Sequence, residues 1–226
     1  MKKQLLQILL IACVGLFGLQ QSFGQLTAGD IAFTAFNADG DDDFAFVALK
    51  DIPANTSIWF TDNEWTGTSF NNTNEGELEW SHTSIVTAGT VIIIEGAVPS
   101  TTIGTITGSG FNLGASNEDI LALLAEPSSS TMTTPGFLAG ISNDLNGSGA
   151  TLAGTGLTLG VNFIDFSDDN DGFEYTGSRS GQTNFSDYLP FLISTSNWQI
   201  ESSNGDNIIP ISTTSFSIVT GPAPSN

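Results

Sequence analysis

The sequence predicts an all-β fold, an immunoglobulin-like β-sandwich with long loops. Three observations carry this. Apolar residues come in short runs, several of them alternating with period two. Gly, Asn, Asp, Thr and Pro separate the runs, and no stretch holds the 3.6-residue period of a long helix.

Taken in order, "DIAFTAF" alternates through Ile31, Phe33 and Ala35. "FAFVAL" puts Phe44, Phe46 and Ala48 on one face and Ala45, Val47 and Leu49 on the other. "SIWFTDN" brings Ile58 and Phe60, and "ELEWSH", "TVIIIEG" and "DILALLAE" follow. "LTLGVNFIDF", "FEYTG", "WQIES" and "FSIVT" complete the strand set. Phe33, Phe46, Phe60, Ile93 and Leu123 are the expected core. The run 91–94 is apolar on both faces and belongs in the middle of a sheet. "SDYLPFLI" reads as one short helix, with Ser186 as its cap and Pro190 in the first turn, where a missing N–H matters least. "EPSSSTMTTPG", residues 126–136, reads as a long loop within one domain, because no clear strand follows it until Leu157.

The N-terminus has Lys2 and Lys3, an apolar stretch from Leu5 to Leu19, and then the small residues Ser22 and Gly24. That is the order of a secretory signal peptide, expected to span residues 1–24. Gln7 interrupts the apolar stretch, which falls short of the roughly 20 residues a membrane span needs. "LIAC" has the residue types of a lipoprotein site at Cys13, but apolar residues continue through Val14, Leu16 and Phe17, so the expected mature start is Gln25, without lipid. Residues 25–219 are then one sandwich domain and residues 220–226 a tail. Localisation is expected to be secreted or at the cell surface.

Cys13 is the only cysteine, so the mature part contains no disulfide. All 24 acidic residues fall after residue 24, where Lys50 and Arg179 are the only side-chain cations, giving a formal charge of −22. Nucleic acid and anionic membrane are poor partners for such a surface. An extracellular protein or a glycan surface is the expected partner. Ion pairs cannot account for most of the acids. Either they form a solvated, self-repelling surface or some of them bind divalent cations.

Residues 41–63, "DDDFAFVALKDIPANTSIWFTDN", run from an acidic turn through a strand and a Pro-containing turn to a second strand with an Asp-Asn corner. With "AGTVIII" and "GFNLGASNEDILALL" they resemble the lamin-tail type of immunoglobulin-like domain found in secreted bacterial proteins. The likeness covers roughly residues 27–125, and "GSRSG" around Arg179 with Trp198 is similar to the family's closing segment. The resemblance implies the sandwich fold and a non-catalytic part of a surface or extracellular protein.

Asn37, Asp39, Asp41, Asp42 and Asp43 offer hard oxygen ligands of the kind Ca2+ takes, and so do Asp165, Asp168, Asp169 and Asp171, with Glu174 close by. Neither group fits an EF-hand register, so a weak Ca2+ site and a solvated turn both stand as readings. Among Trp59, Trp65, Trp80 and Trp198, Trp65 is the expected exposed ligand contact, since it stands before the polar loop "TGTSFNNTNEG". His82 is the only histidine and reads as a strand surface residue, with no nucleophile motif near it. Glu64, Glu75, Glu77 and Glu79 could supply the carboxylate pair of a glycosidase. The expected function is a secreted, non-catalytic structural or adhesion module. A carbohydrate-binding module is the alternative, and a glycosidase comes third.

Overall fold

The chain crosses between two facing six-stranded sheets, and the short apolar runs mark the crossings. The computed structural model describes residues 24–38, 42–71, 75–128, 136–167, 170–201 and 210–219. In chain order its strands are β1 (Ile31–Asn37), β2 (Phe44–Ala48), β3 (Ser57–Thr61), β4 (Glu77–Ser81), β5 (Val91–Glu95), β6 (Ser100–Thr101) and β7 (Thr105–Ser109). There follow β8 (Asp119–Leu123), β9 (Phe137–Ser142), β10 (Phe163–Asp165), β11 (Gly172–Tyr175), β12 (Ser180–Gln182), β13 (Trp198–Ile200) and β14 (Ser217–Ile218). One sheet has the order β13-β11-β1-β2-β5-β6 and the other β10-β9-β8-β3-β4-β7, while β12 and β14 form a small parallel pair. No helix among the described residues is long and apolar enough to cross a membrane. The signal peptide, lipidation at Cys13 and the 220–226 tail all concern residues outside those described.

Aromatic residues fill the space between the sheets. Phe44 packs 4.9 Å from Phe60 of the opposite sheet, and Phe46 lies 5.2 Å from Phe60 and 5.6 Å from Trp80. Strict alternation would send Phe33 and Phe36 to opposite faces. A shift of register between Phe33 and Ala35 inserts one extra residue, so Phe33 opposes Phe46 and Phe36 opposes Phe44, and both rings turn inward. The resulting core runs from Leu26 to Phe216. Each fully buried ring contributes roughly 1.5–3 kcal/mol by leaving water.

Several expectations need correction. Ile93 is half-buried, and its neighbours Ile92 and Ile94 face the core instead. β5 lies next to the two-residue edge strand β6, not in the middle of its sheet. Leu123 is fully buried, but in a second, smaller cluster with Trp65, Leu121, Phe137, Leu157 and Phe163. β9 forms inside the stretch read as lacking strands, and it pairs with both β8 and β10. Of "LTLGVNFIDF" only Phe163–Asp165 is a strand. The expected helix starts earlier, as a 3-10 turn at Phe185–Tyr188 capped by Asn184 and not Ser186. Asn184 and Asp187 form a capping box there. The turn continues as a helical turn at Leu189–Leu192, with Pro190 near its start.

Candidate functional site

Strand direction brings one group of acidic residues to a single end of the sandwich. β1 and β2 run antiparallel, as do β2 and β5, so Asn37, Asp43 and Glu95 share one end of their sheet. In the facing sheet, Thr61 pairs with Glu77 and Leu121, and Asp119 with Ser142, so the residues following β3 and those leading into β4 and β8 share one end too. Phe111 joins these two ends. Its ring stacks 5.5 Å from Phe44 and presses on Gly76, and its N–H donates to the Gly96 carbonyl.

Among the described residues the two side-chain cations, Lys50 and Arg179, lie at the other end. Lys50, just past β2, pairs with Asp30 at 2.9 Å. Arg179 donates to the Thr214 carbonyl at 2.8 Å and lies over the Phe216 ring. Phe216 in turn bonds to Gly89, and Gly89 to Ala48, the last residue of β2. Burial holds the Arg179 guanidinium below its ordinary pKa, and Glu174 partly offsets this.

The two acidic stretches singled out in the sequence meet at the acidic end. Asn37 N–H donates to the Asp43 carbonyl, and Ala38 N–H to the Asp171 carbonyl at 2.7 Å. Asn37, Asp42 and Asp171 are buried there. Asp39, Asp41, Asp168 and Asp169 lie outside the described residues. Asp165 is set apart, on the other sheet. Its carboxylate accepts the Leu145 N–H at 3.1 Å and the Ser167 hydroxyl at 2.9 Å, next to a helical turn, α1, at Leu145–Ser148.

A second acidic group lies at this end, of which the sequence singles out Glu64 and Glu75 but not Asp62, Glu118 or Asp119. The corner after β3 supplies Asp62, Asn63 and Glu64, the approach to β4 supplies Glu75, and the start of β8 supplies Glu118 and Asp119. The Thr61 hydroxyl fixes the corner by donating to the Gly76 carbonyl while accepting the N–H and the side-chain NH2 of Asn63. Glu118 is held by the Gly114 N–H on its carboxylate, and Asn143 accepts its backbone N–H at 2.8 Å. Asp119 is 1% exposed and Asp62 3%. Both Asp119 carboxylate oxygens, Asp62 Oδ1, Asn63 Oδ1 and Glu64 Oε2 are buried without a hydrogen-bond partner.

Such burial penalises charge. Desolvation, with repulsion from Glu75 behind it, pushes Asp62 up to about 7. Glu118 rises to about 7 through burial and the nearby Asp62, Glu75 and Glu64. Asp119 is driven well above the carboxylate range by burial, although the Ser148 hydroxyl nearby favours its charged form. Glu75 is raised by burial and by Glu64. Among the described residues, no three Asp, Glu, His or Cys side chains are drawn together to hold a metal ion. One signal was legible beforehand, for Asp119 in "SNEDILALL" precedes a buried run just as the 41–43 acids do.

The aromatic expectation is overturned. Trp65 is 5% exposed. Its Nε1 donates to the Ala153 carbonyl at 2.8 Å, and its ring meets Phe70 and Phe137 edge-on at 5.2 and 5.1 Å. The chain after α1 folds back over it, and Thr151 N–H donates to the Trp65 carbonyl. Trp80 and Trp198 are buried as well. No protein-family model, curated protein or solved structure matches the chain.

His82 and Glu79 make local contacts. His82 falls just beyond β4, and its Nδ1 lies 2.8 Å from the Ser84 carbonyl in its own turn. Glu79 accepts the Ser57 hydroxyl across the β3–β4 pair at 2.6 Å.

Proposed function

We propose that the chain is an exported, non-catalytic module of the lamin-tail-like type, serving the cell surface or the extracellular medium as a structural or adhesive part. The observation that carries this reading is the separation of charge. Both mature cations are bound within the fold at one end, Lys50 by Asp30, while Asp43, Asp62, Glu64, Glu75, Glu118 and Asp119 gather at the other with no side-chain cation beside them among the described residues. A pole of this kind repels polyanions and suits partners that bring cations or meet it through bridging ions. The signal-peptide pattern and the resemblance of residues 27–125 support export and the module type. Ca2+ at the meeting point of Asn37, Asp42, Asp43 and Asp171 belongs to the same reading, supported by the backbone bonds that join the two stretches.

Fractionation of the native host with intact-mass measurement tests the export, and binding of the purified chain from Gln25 onward to host cells, with and without chelator, tests the adhesive role. The expected result is a lipid-free species in the surface or medium fraction, beginning near Gln25 and binding cells. Retention in the cytoplasm with residues 1–24 intact overturns the reading.

A further inference from the structure

We propose that Asp119, Asp62 and Glu64, with Glu118 and Glu75 at the rim, form a Ca2+ site at the acidic end of the sandwich, separate from the turn at residues 37–43. Asp119 carries the argument. It is 1% exposed, and beyond the nearby Ser148 hydroxyl nothing among the described residues is placed to satisfy its two carboxylate oxygens. A buried carboxylate left without partners is among the costliest groups a fold can hold. Asp62 Oδ1, Asn63 Oδ1 and Glu64 Oε2 are buried and unpartnered in the same way. These are hard oxygen donors, and one of them is an uncharged amide.

Ca2+ takes 6–8 such oxygens in a flexible geometry, whereas Mg2+ keeps its water and demands a strict octahedron. Neither side-chain cation of the mature chain is at hand, since Lys50 and Arg179 are held at the opposite end. The neutralising charge therefore comes from solution. Asp62–Glu64 sits on a corner braced by Thr61, Glu118 is braced through Gly114 and Asn143, and Asp62, Glu64, Glu118 and Asp119 lie near enough to feel one another's charge, so closing the site requires the side chains to draw in around the ion. The site is independent of export and of any surface role.

Calorimetric melting of the chain from Gln25 onward, in chelator, Ca2+ or Mg2+ at matched ionic strength, tests this. Ca2+ at a hundredfold excess over its dissociation constant should raise the midpoint by about 5 to 10 °C, and Mg2+ by clearly less. Asp119→Asn should abolish the Ca2+ shift yet melt above the parent in chelator, because the amide is neutral without taking up a proton and keeps the side chain's shape. Should that variant not fold, Glu64→Gln, at a partly exposed position, should weaken Ca2+ binding at least about tenfold, a change of about 1.4 kcal/mol. The proposal fails if the parent shows no Ca2+ shift, if Mg2+ matches it, or if the variants keep it in full. It also fails if the shift disappears only in Asp42→Asn with Asp43→Asn, which would place the ion at the turn and leave that part of the proposed function standing.

Discussion

The indole N–H of Trp65 donates to the carbonyl of Ala153, 88 residues further along the chain. This bond ties the corner after β3 to the segment after α1 and closes the smaller apolar cluster. Trp65 therefore works as a structural pin. Trp65→Ala should cost about 3 to 5 kcal/mol, and Trp65→Phe, which keeps a ring against Phe70 and Phe137, should cost less. Chemical denaturation of both variants checks the order. A Trp65→Ala chain as stable as the parent would mean that the ring is not packed.

The two faces of β2 and β5 give a second comparison. Phe46 is fully buried against Phe60 and Trp80, while Ile93 is only half-buried. Phe46→Ala should cost about 3 to 5 kcal/mol if the site cannot collapse. Ile93→Ala should cost well under that, because much of its side chain already meets water. Equal losses in urea titrations would contradict the face assignment.

Gly76 measures how tightly the two acidic ends are joined. A Cβ built there would lie 2.1 Å from Phe111 Cδ1 and 2.9 Å from Phe111 Cα. The ring has little room to yield, since it is 3% exposed and stacked on Phe44. Gly76→Ala should therefore cost about 1 to 3 kcal/mol through overpacking. Combined with Phe111→Leu, the loss should be smaller than the sum of the two single losses, because the smaller side chain makes room. Strict additivity would show that the contact is not the source of the cost.

Much of the sandwich was legible because β1 to β5 and β8 are short apolar runs bounded by turn residues. β9 was not, since Ala139 and Gly140 dilute its apolar signal. The small residue is required, as a Cβ at Gly140 would lie 2.3 Å from the Phe163 ring. Alternation misled at β1, where one inserted residue turns Phe33 and Phe36 to the same side. Trp65 has polar neighbours in sequence, and its partners arrive from residues 137 to 157. Asp62, Glu118 and Asp119 escaped notice because they come from separated stretches, and only the pairing of β3 with β4 and β8 brings them to one end beside Glu64 and Glu75.

The last prediction concerns pH in the absence of divalent ions. In the fold, burial raises Asp62 and Glu118 to about 7, from ordinary values of 3.8 and 4.5. Asp119 moves in the same direction, and Glu64 and Glu75 face these groups with further negative charge. The folded chain therefore binds more protons than the unfolded chain between about pH 4 and 7. Its stability from these groups is fully present below their ordinary values and is lost as pH rises through about 7. Acidification from pH 8 to 5 in chelator should raise the melting midpoint, the reverse of ordinary acid destabilisation. His82, the only imidazole, follows β4 at the opposite end, so His82→Gln should leave the trend in place. With Ca2+ present the ion replaces the protons, and acid should then weaken its hold, so the rise should shrink or reverse. Calorimetry at four pH values, with chelator or with Ca2+, reads both slopes. A midpoint in chelator that stays flat or falls on acidification would show that Asp62, Glu118 and Asp119 are charged in the fold without help.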